Sequence, residues 1–456
     1  MSATSRPSFA WPFAAFAMLA ALLVPSLWNG FPFIFPDTGG YLARPVEGTL
    51  GLGRSAFYGA FLLFGQALDF WPNVVVQAAL TVWLVVLTLR CHGLGDRPQL
   101  ALGVMLLLAI GTSAPWFAGQ LMPDIFVAAA VLAMHLLAFR LENLSTLERA
   151  ALLAVIAASI ASHMAILALC AGMVIALLLL KAMRNRLLRP RLSAVKFALA
   201  CGIALALVSN FVIAGKFAFT PGGESFLFGR LVQDGIVARY LHERCPDPSI
   251  RLCEYKTDLP AIADDWLWEA GTPFNKLGGW KDYAPEERRI ILDTILLYPG
   301  LHAVTAVQAT LTQLTLFKTE VSLNPWHNVP AVGMLQELAP AVMPHLRAAR
   351  QQEKPFDLEV LNYLHVPLAA LAMIGLISAL VFSRRLHVKP ETAALSFSVL
   401  SALLINAAIS GVFSNPVDRY QSRLAWLAVL AAAIAALAAM QKTARKPLAG
   451  HSADLE

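Results

Sequence analysis

Apolar runs of about twenty residues, the length that crosses a hydrocarbon core as a helix, recur along most of this chain. We read ten of them, at 10–29, 72–90, 98–117, 124–140, 147–163, 164–182, 193–214, 361–383, 391–413 and 423–441. Backbone polar groups in lipid must be satisfied within the segment, so each run predicts a helix. Composition agrees, with 58% of residues hydrophobic and 14% charged, against roughly 25% charged in soluble domains. That balance excludes an ordinary soluble enzyme, a disordered chain and a nucleic-acid partner. The sequence predicts an all-α polytopic membrane protein. The first run has signal-peptide length but no small-residue cleavage site before Phe31, so it reads as an uncleaved anchor.

The basic residues set the predicted orientation. Arg90 and Arg97, Arg140 and Arg149, the group from Lys181 through Arg184, Arg186, Arg189 and Arg191 to Lys196, then Arg384, Arg385 and Lys389, and finally Lys442, Arg445 and Lys446, all fall on one side if the N-terminus is cytoplasmic. The positive-inside rule favours that arrangement, with both termini cytoplasmic. Loops 30–71, 115–124, 215–360 and 414–422 then lie outside. The chain divides into a seven-span module over 1–214, an extracytoplasmic region over 215–360 and a three-span module over 361–456. The middle region carries 14 basic and 18 acidic residues. Cys245 and Cys253 lie in it, where an oxidising compartment allows a disulfide. Cys91, Cys170 and Cys201 read as inert thiols of apolar runs. Residues 55–71 and 291–317 are apolar but short or Pro-interrupted, and read as interfacial or re-entrant helices.

Ionisable residues at a membrane boundary are costly unless used or solvated. The informative ones share the outer side. Asp37 follows an aromatic, proline-interrupted stretch in FPDTGGYL, with Arg44 and Arg54 in the same loop. A carboxylate flanked by guanidinium groups suits an anionic, lipid-linked substrate: the arginines bind phosphate oxygens and the carboxylate accepts a proton from a hydroxyl. Asp124 opens an apolar run after Pro123, and His163 lies where two spans meet. Each aspartate has a plainer competing role as a helix N-cap, and the histidine as a structural turn residue. The last outer loop holds Asp418, Arg419, Tyr420 and Arg423, against the positive-inside trend. Arg419 is the better phosphate ligand of the two arginines in this reading.

The long outer region offers Phe226, Phe228 and Arg230, the tryptophans Trp266, Trp268 and Trp280, the acidic Asp264, Asp265 and Glu269, and Trp326 and His327 in NPWHNVP. Tryptophans suit both sugar stacking and membrane-interface belts, so they decide nothing alone. The sequence contains no GxxxxGK[ST] loop, no HExxH zinc motif and no GxSxG elbow.

This layout resembles the GT-C class of polyprenyl-phosphate-sugar-dependent glycosyltransferases. The residues that carry the resemblance are Asp37 in PDTGGYL, the apolar segment after Gly53-Arg54, Asp124 in MPDIF and Arg419-Tyr420 in DRYQSR. The usual paired Asp-Glu of the first loop is replaced by Asp37-Thr38, and no large soluble C-terminal domain follows the last span. The resemblance implies a GT-C-like fold in a bacterial inner membrane, with the active face outside. It implies a sugar donor on polyprenyl phosphate and a glycan, lipid or protein acceptor. Asp37 would be the general base, Arg54 and Arg419 would hold the lipid phosphate, and Asp124 and His163 would line the cavity. A divalent metal is compatible with the class. A transporter or flippase of a lipid-linked sugar would use the same residues. A surface-polysaccharide polymerase or ligase would draw instead on Arg230, Arg239, His242 and Arg244. A non-catalytic assembly subunit would leave the outer carboxylates without purpose.

Overall fold

The computed structural model describes residues 10–183, 188–320, 322–325 and 330–444. Arg184, Arg186, Trp326, His327, Arg445 and Lys446 lie outside the described residues. The N-terminal half contains α1 (Ala10–Asn29), α2 (Thr38–Glu47), α3 (Ala56–Gly65), α4 (Trp71–Cys91), α5 (Pro98–Gly111), α6 (Ala114–Ala118), α7 (Ile125–Phe139), α8 (Thr146–Ser162), α9 (Met164–Ala182) and α10 (Leu192–Ala214). Short helices follow: α11 (Gly223–Gln233), α12 (Ile236–Arg244), α13 (Ala263–Trp268), α14 (Pro273–Lys276) and α15 (Gly279–Asp282). The chain continues as α16 (Ala284–Leu297), α17 (Pro299–Thr315), α18 (Pro330–Leu338), α19 (Met343–Ala348), α20 (Glu359–Val381), α21 (Pro390–Phe413) and α22 (Asp418–Ala444).

Seven helices are long and apolar enough to cross a membrane: α1, α4, α9, α10, α20, α21 and α22. Counting the bent pair α16–α17 as one crossing gives eight. By length and hydropathy this is a multi-pass membrane protein. Three of the ten predicted spans are helices that fall short. α5 has 14 residues, α7 has 15 and α8 has 17. At 1.5 Å per residue, α7 covers roughly 22 Å of a ~30 Å hydrocarbon core. Local chemistry explains the shortening. Thr112 leaves the helix in extended backbone just before Pro115. Residues 119–121 ahead of α7 bond to the first loop instead of extending the helix: Phe33 N–H donates to the Gly119 carbonyl at 3.0 Å and Leu121 N–H to the Phe33 carbonyl at 2.8 Å. α7 is nonetheless buried from Val127 to Ala138, at the centre of the bundle.

Residues 291–317 do not form one straight helix. The axis turns by 102° between α16 and α17, at Tyr298 and Pro299. Pro299 occupies the first turn of α17, where its missing N–H costs nothing. α17 lies along α21, close enough that a Cβ at Gly411 would sit 2.7 Å from the Ala309 carbonyl oxygen. Segment 55–71 is the short α3 and a 3-10 turn, reversed into α4 by Asp69 and Phe70 in left-handed backbone.

The region 215–360 is built in two parts. Phe228, Trp266, Phe274, Tyr283 and Ile290 lead a core of their own, formed by α11 to α16. Cys245 and Cys253 are disulfide-bonded beside it, with Cα atoms 5.6 Å apart. Leu323, Leu335, Val342 and Leu346 instead join the core of the helix bundle. Cys91, Cys170 and Cys201 are free thiols, the first two buried.

Candidate functional site

Between the bundle and the disulfide-bonded core lies a cavity of about 2030 Å³. Its wall includes Asp37, Arg44, Arg54, His163, Arg419, Tyr420 and Arg423 among the residues singled out by sequence. Cavities for single small ligands run roughly 300–1,000 Å³, so this one has room for more than one.

Asp37 stands at the N-cap position of α2, yet its side chain makes no capping hydrogen bond. Its carboxylate pairs with the Arg54 guanidinium instead. Arg54 also donates to the Leu52 carbonyl at 2.7 Å and lies over the Trp268 ring at 5.5 Å. Arg44 is bonded within its own turn, to the Gly40 carbonyl, Thr49 and Glu47.

Asp124 likewise occupies an N-cap position, that of α7, without capping. It is 3% exposed and lies behind the cavity wall. One carboxylate oxygen accepts from Arg419 at 2.6 Å and the other from Arg423 at 3.1 Å. The two arginines are one helical turn apart at the start of α22, which places them on one face. Both are buried, at 8% and 3% exposure. Arg423 also donates to Asn406 at 3.1 Å, and Arg419 lies against the face of Phe35, 3.6 Å from its centroid. Among the described residues, the Nε of each arginine has no hydrogen-bond partner. Five arginines and two lysines line the cavity (Arg44, Arg54, Arg288, Arg419, Arg423, Lys216 and Lys281) against three lining carboxylates, Asp37, Glu224 and Asp264, with Glu47 and Asp124 paired to arginines from outside the lining. The balance favours an anionic ligand.

His163 serves as the cap of α9: its Nδ1 accepts from the Ala165 N–H at 3.1 Å, which places the proton of a neutral ring on Nε2. Tyr420 faces Ser414, with hydroxyls 3.4 Å apart. Tyr41 of α2 is buried near both aspartates, and desolvation together with their charge pushes its hydroxyl pKa up.

Arg230 lies elsewhere. It is buried in the disulfide-bonded region, paired with Asp234 at 2.5 Å, and does not line the cavity. Arg239 pairs with Glu243 at 3.0 Å and Arg244 lies over Tyr240. Of the three tryptophans, Trp266 is fully buried, while Trp268 and Trp280 line the cavity.

Sequence reasoning missed the amides that position these groups. The Gln351 side chain pairs with Ile34 as a neighbouring strand would: Ile34 N–H donates to Oε1 at 3.1 Å, and Nε2 donates to the Ile34 carbonyl at 2.8 Å. Gln313 does the same for Val417, at 3.0 and 2.9 Å. The first amide fixes the segment entering Asp37 and the second the segment entering Arg419. Gln77 ties Tyr58 to the carbonyls of Ala118 and Gln120, ahead of Asp124. Gln77, Gln313 and Asn406 are polar residues inside apolar runs, a signal of interhelical bonding open to a closer reading.

Among the described residues no three His, Cys, Asp or Glu side chains gather to hold a metal ion. No protein-family model matches this sequence, no curated protein matches it and no solved structure matches its fold.

Proposed function

We propose that this chain is a GT-C-like membrane glycosyltransferase that moves a sugar from polyprenyl phosphate to an extracytoplasmic acceptor. The observation that supports it is the pairing of a cavity-wall carboxylate, Asp37, with a guanidinium cluster that exceeds its own carboxylates. Asp37 takes the proton of the acceptor hydroxyl as that oxygen attacks the anomeric carbon. The bond from this carbon to the phosphate oxygen breaks, and polyprenyl phosphate leaves with the electron pair. The leaving phosphate gains negative charge, and fixed cations aimed at it supply the electrostatic stabilisation. Arg419 and Arg423 are held ready by Asp124. Arg54 bonds Asp37 before substrate arrives, and a phosphate that draws Arg54 away frees the base.

The test is transfer of labelled sugar from polyprenyl-phosphate lipids in membranes, comparing the parent with Asp37→Asn at equal expression. Loss of the base should lower turnover by roughly 10²–10⁴-fold. Unchanged transfer in Asp37→Asn would remove Asp37 from the chemistry. If neither protein transfers sugar from any donor, translocation of a lipid-linked sugar replaces transfer as the reading.

A further inference from the structure

The part of the cavity wall contributed by the disulfide-bonded region has a different chemistry. Trp268 and Trp280 stand with ring centroids 5.6 Å apart and planes 43° apart. Phe226 completes the group, 6.2 Å from Trp268 and 5.7 Å from Trp280. Phe274 backs Trp280 edge-on from within the core. Trp268 remains 51% exposed. Asp264 and Asn275 add polar side chains to the lining of the same cavity.

These rings are held in place from the bundle side. Gly53 sits in left-handed backbone, donates to the Pro221 carbonyl at 3.1 Å and lies against the Phe226 ring. Arg54, the partner of Asp37, covers part of the Trp268 face. The aromatic shelf and the carboxylate are thus joined through one residue. Indole faces flanked by hydrogen-bonding side chains match a pyranose ring, which presents C–H groups on its faces and hydroxyls at its edge. A lipid chain has no use for the polar rim.

We propose that Phe226, Trp268 and Trp280 form a binding site for a carbohydrate acceptor, a short chain of pyranose units laid face-on against the indoles. That the bound saccharide is an acceptor rests on the transferase reading above; its binding to the shelf does not.

The test uses the full chain in phosphatidylethanolamine–phosphatidylglycerol nanodiscs, titrated calorimetrically with a panel of short gluco-, manno-, galacto- and N-acetylglucosamine oligosaccharides. At least one should bind the parent. Trp268→Ala should weaken it by roughly tenfold or more, and Trp268→Phe should retain most of the affinity. Unfolding midpoints and the intact disulfide are checked in each variant. No binding by any of the panel, or equal binding by Trp268→Ala, overturns the shelf. Saccharide binding through Trp268 with no sugar transfer from any lipid donor leaves the shelf standing and removes the transferase reading. Transfer that proceeds equally in Trp268→Ala overturns the shelf as the acceptor site and leaves the transferase.

Discussion

Arg419 donates to the Asp124 carboxylate at 2.6 Å across 295 positions of sequence, and both side chains are buried. The contact joins the start of α22 to the start of α7, and Arg423 occupies the other oxygen. A buried carboxylate shared by two cations is strongly destabilising to remove, because the guanidinium groups left behind repel each other. Asp124→Ala should lower stability by about 3–5 kcal/mol. Thermal unfolding in detergent measures it, and a midpoint equal to the parent's would show that the arginines are balanced from elsewhere.

Gln351→Leu keeps the bulk of the side chain and removes both bonds to Ile34. Each backbone group left unsatisfied costs about 1–3 kcal/mol. Sugar transfer should fall further than stability does, because the segment that loosens leads into Asp37. Gln313→Leu should act the same way through Val417 and Arg419. Parallel losses of stability and transfer would reduce the two amides to general packing.

Glu287 is buried in the disulfide-bonded region and bonded to Ser225. Burial pushes its carboxyl from an ordinary 4.5 up to about 7. The folded state therefore holds a proton that the unfolded chain releases between those values. Stability should fall as pH rises from 4.5 to 7, by a few kcal/mol at most, and level off above. Glu287→Gln should flatten that slope. Unfolding midpoints across the range check it, and an unchanged slope in the variant would assign the dependence to another group.

The disulfide gives a test of sidedness. An impermeant maleimide applied to intact cells after mild reduction should label Cys245 and Cys253 if region 215–360 faces outward. Labelling only after the membrane is opened would invert the proposed orientation. Reduction itself should cost about 2–4 kcal/mol of stability in that region.

Much of this architecture was legible from the sequence because lipid permits few solutions. Long apolar runs gave the seven crossing helices nearly in register, as in 193–214 against Leu192–Ala214. The failures came where backbone hydrogen bonding served the site instead of the helix. Runs 98–117 and 124–140 are apolar over most of their length, but the chain between them bonds to Phe33, and hydropathy carries no trace of that bond. Among the site residues, Asp37, Arg54 and Arg419 share one cavity because acidic and basic groups beside lipid have few places to go. Arg230 looked equivalent in sequence, yet Asp234 one turn later claims it. Trp266 and Trp268 are two positions apart and face opposite ways, one into the core and one into the cavity. A six-residue helix with an unknown partner gave no means of separating them.

The right-angled turn at Pro299 has a mechanical consequence. One arm, α16, is built into the disulfide-bonded core, and the other, α17, is seated along α21 and grips Val417 through Gln313. The joint is an elbow shared by two supports, one under the tryptophan-bearing roof and one beside the segment that enters Arg419. The roof of the chamber and the placement of Arg419 therefore rest on the same pair of helices.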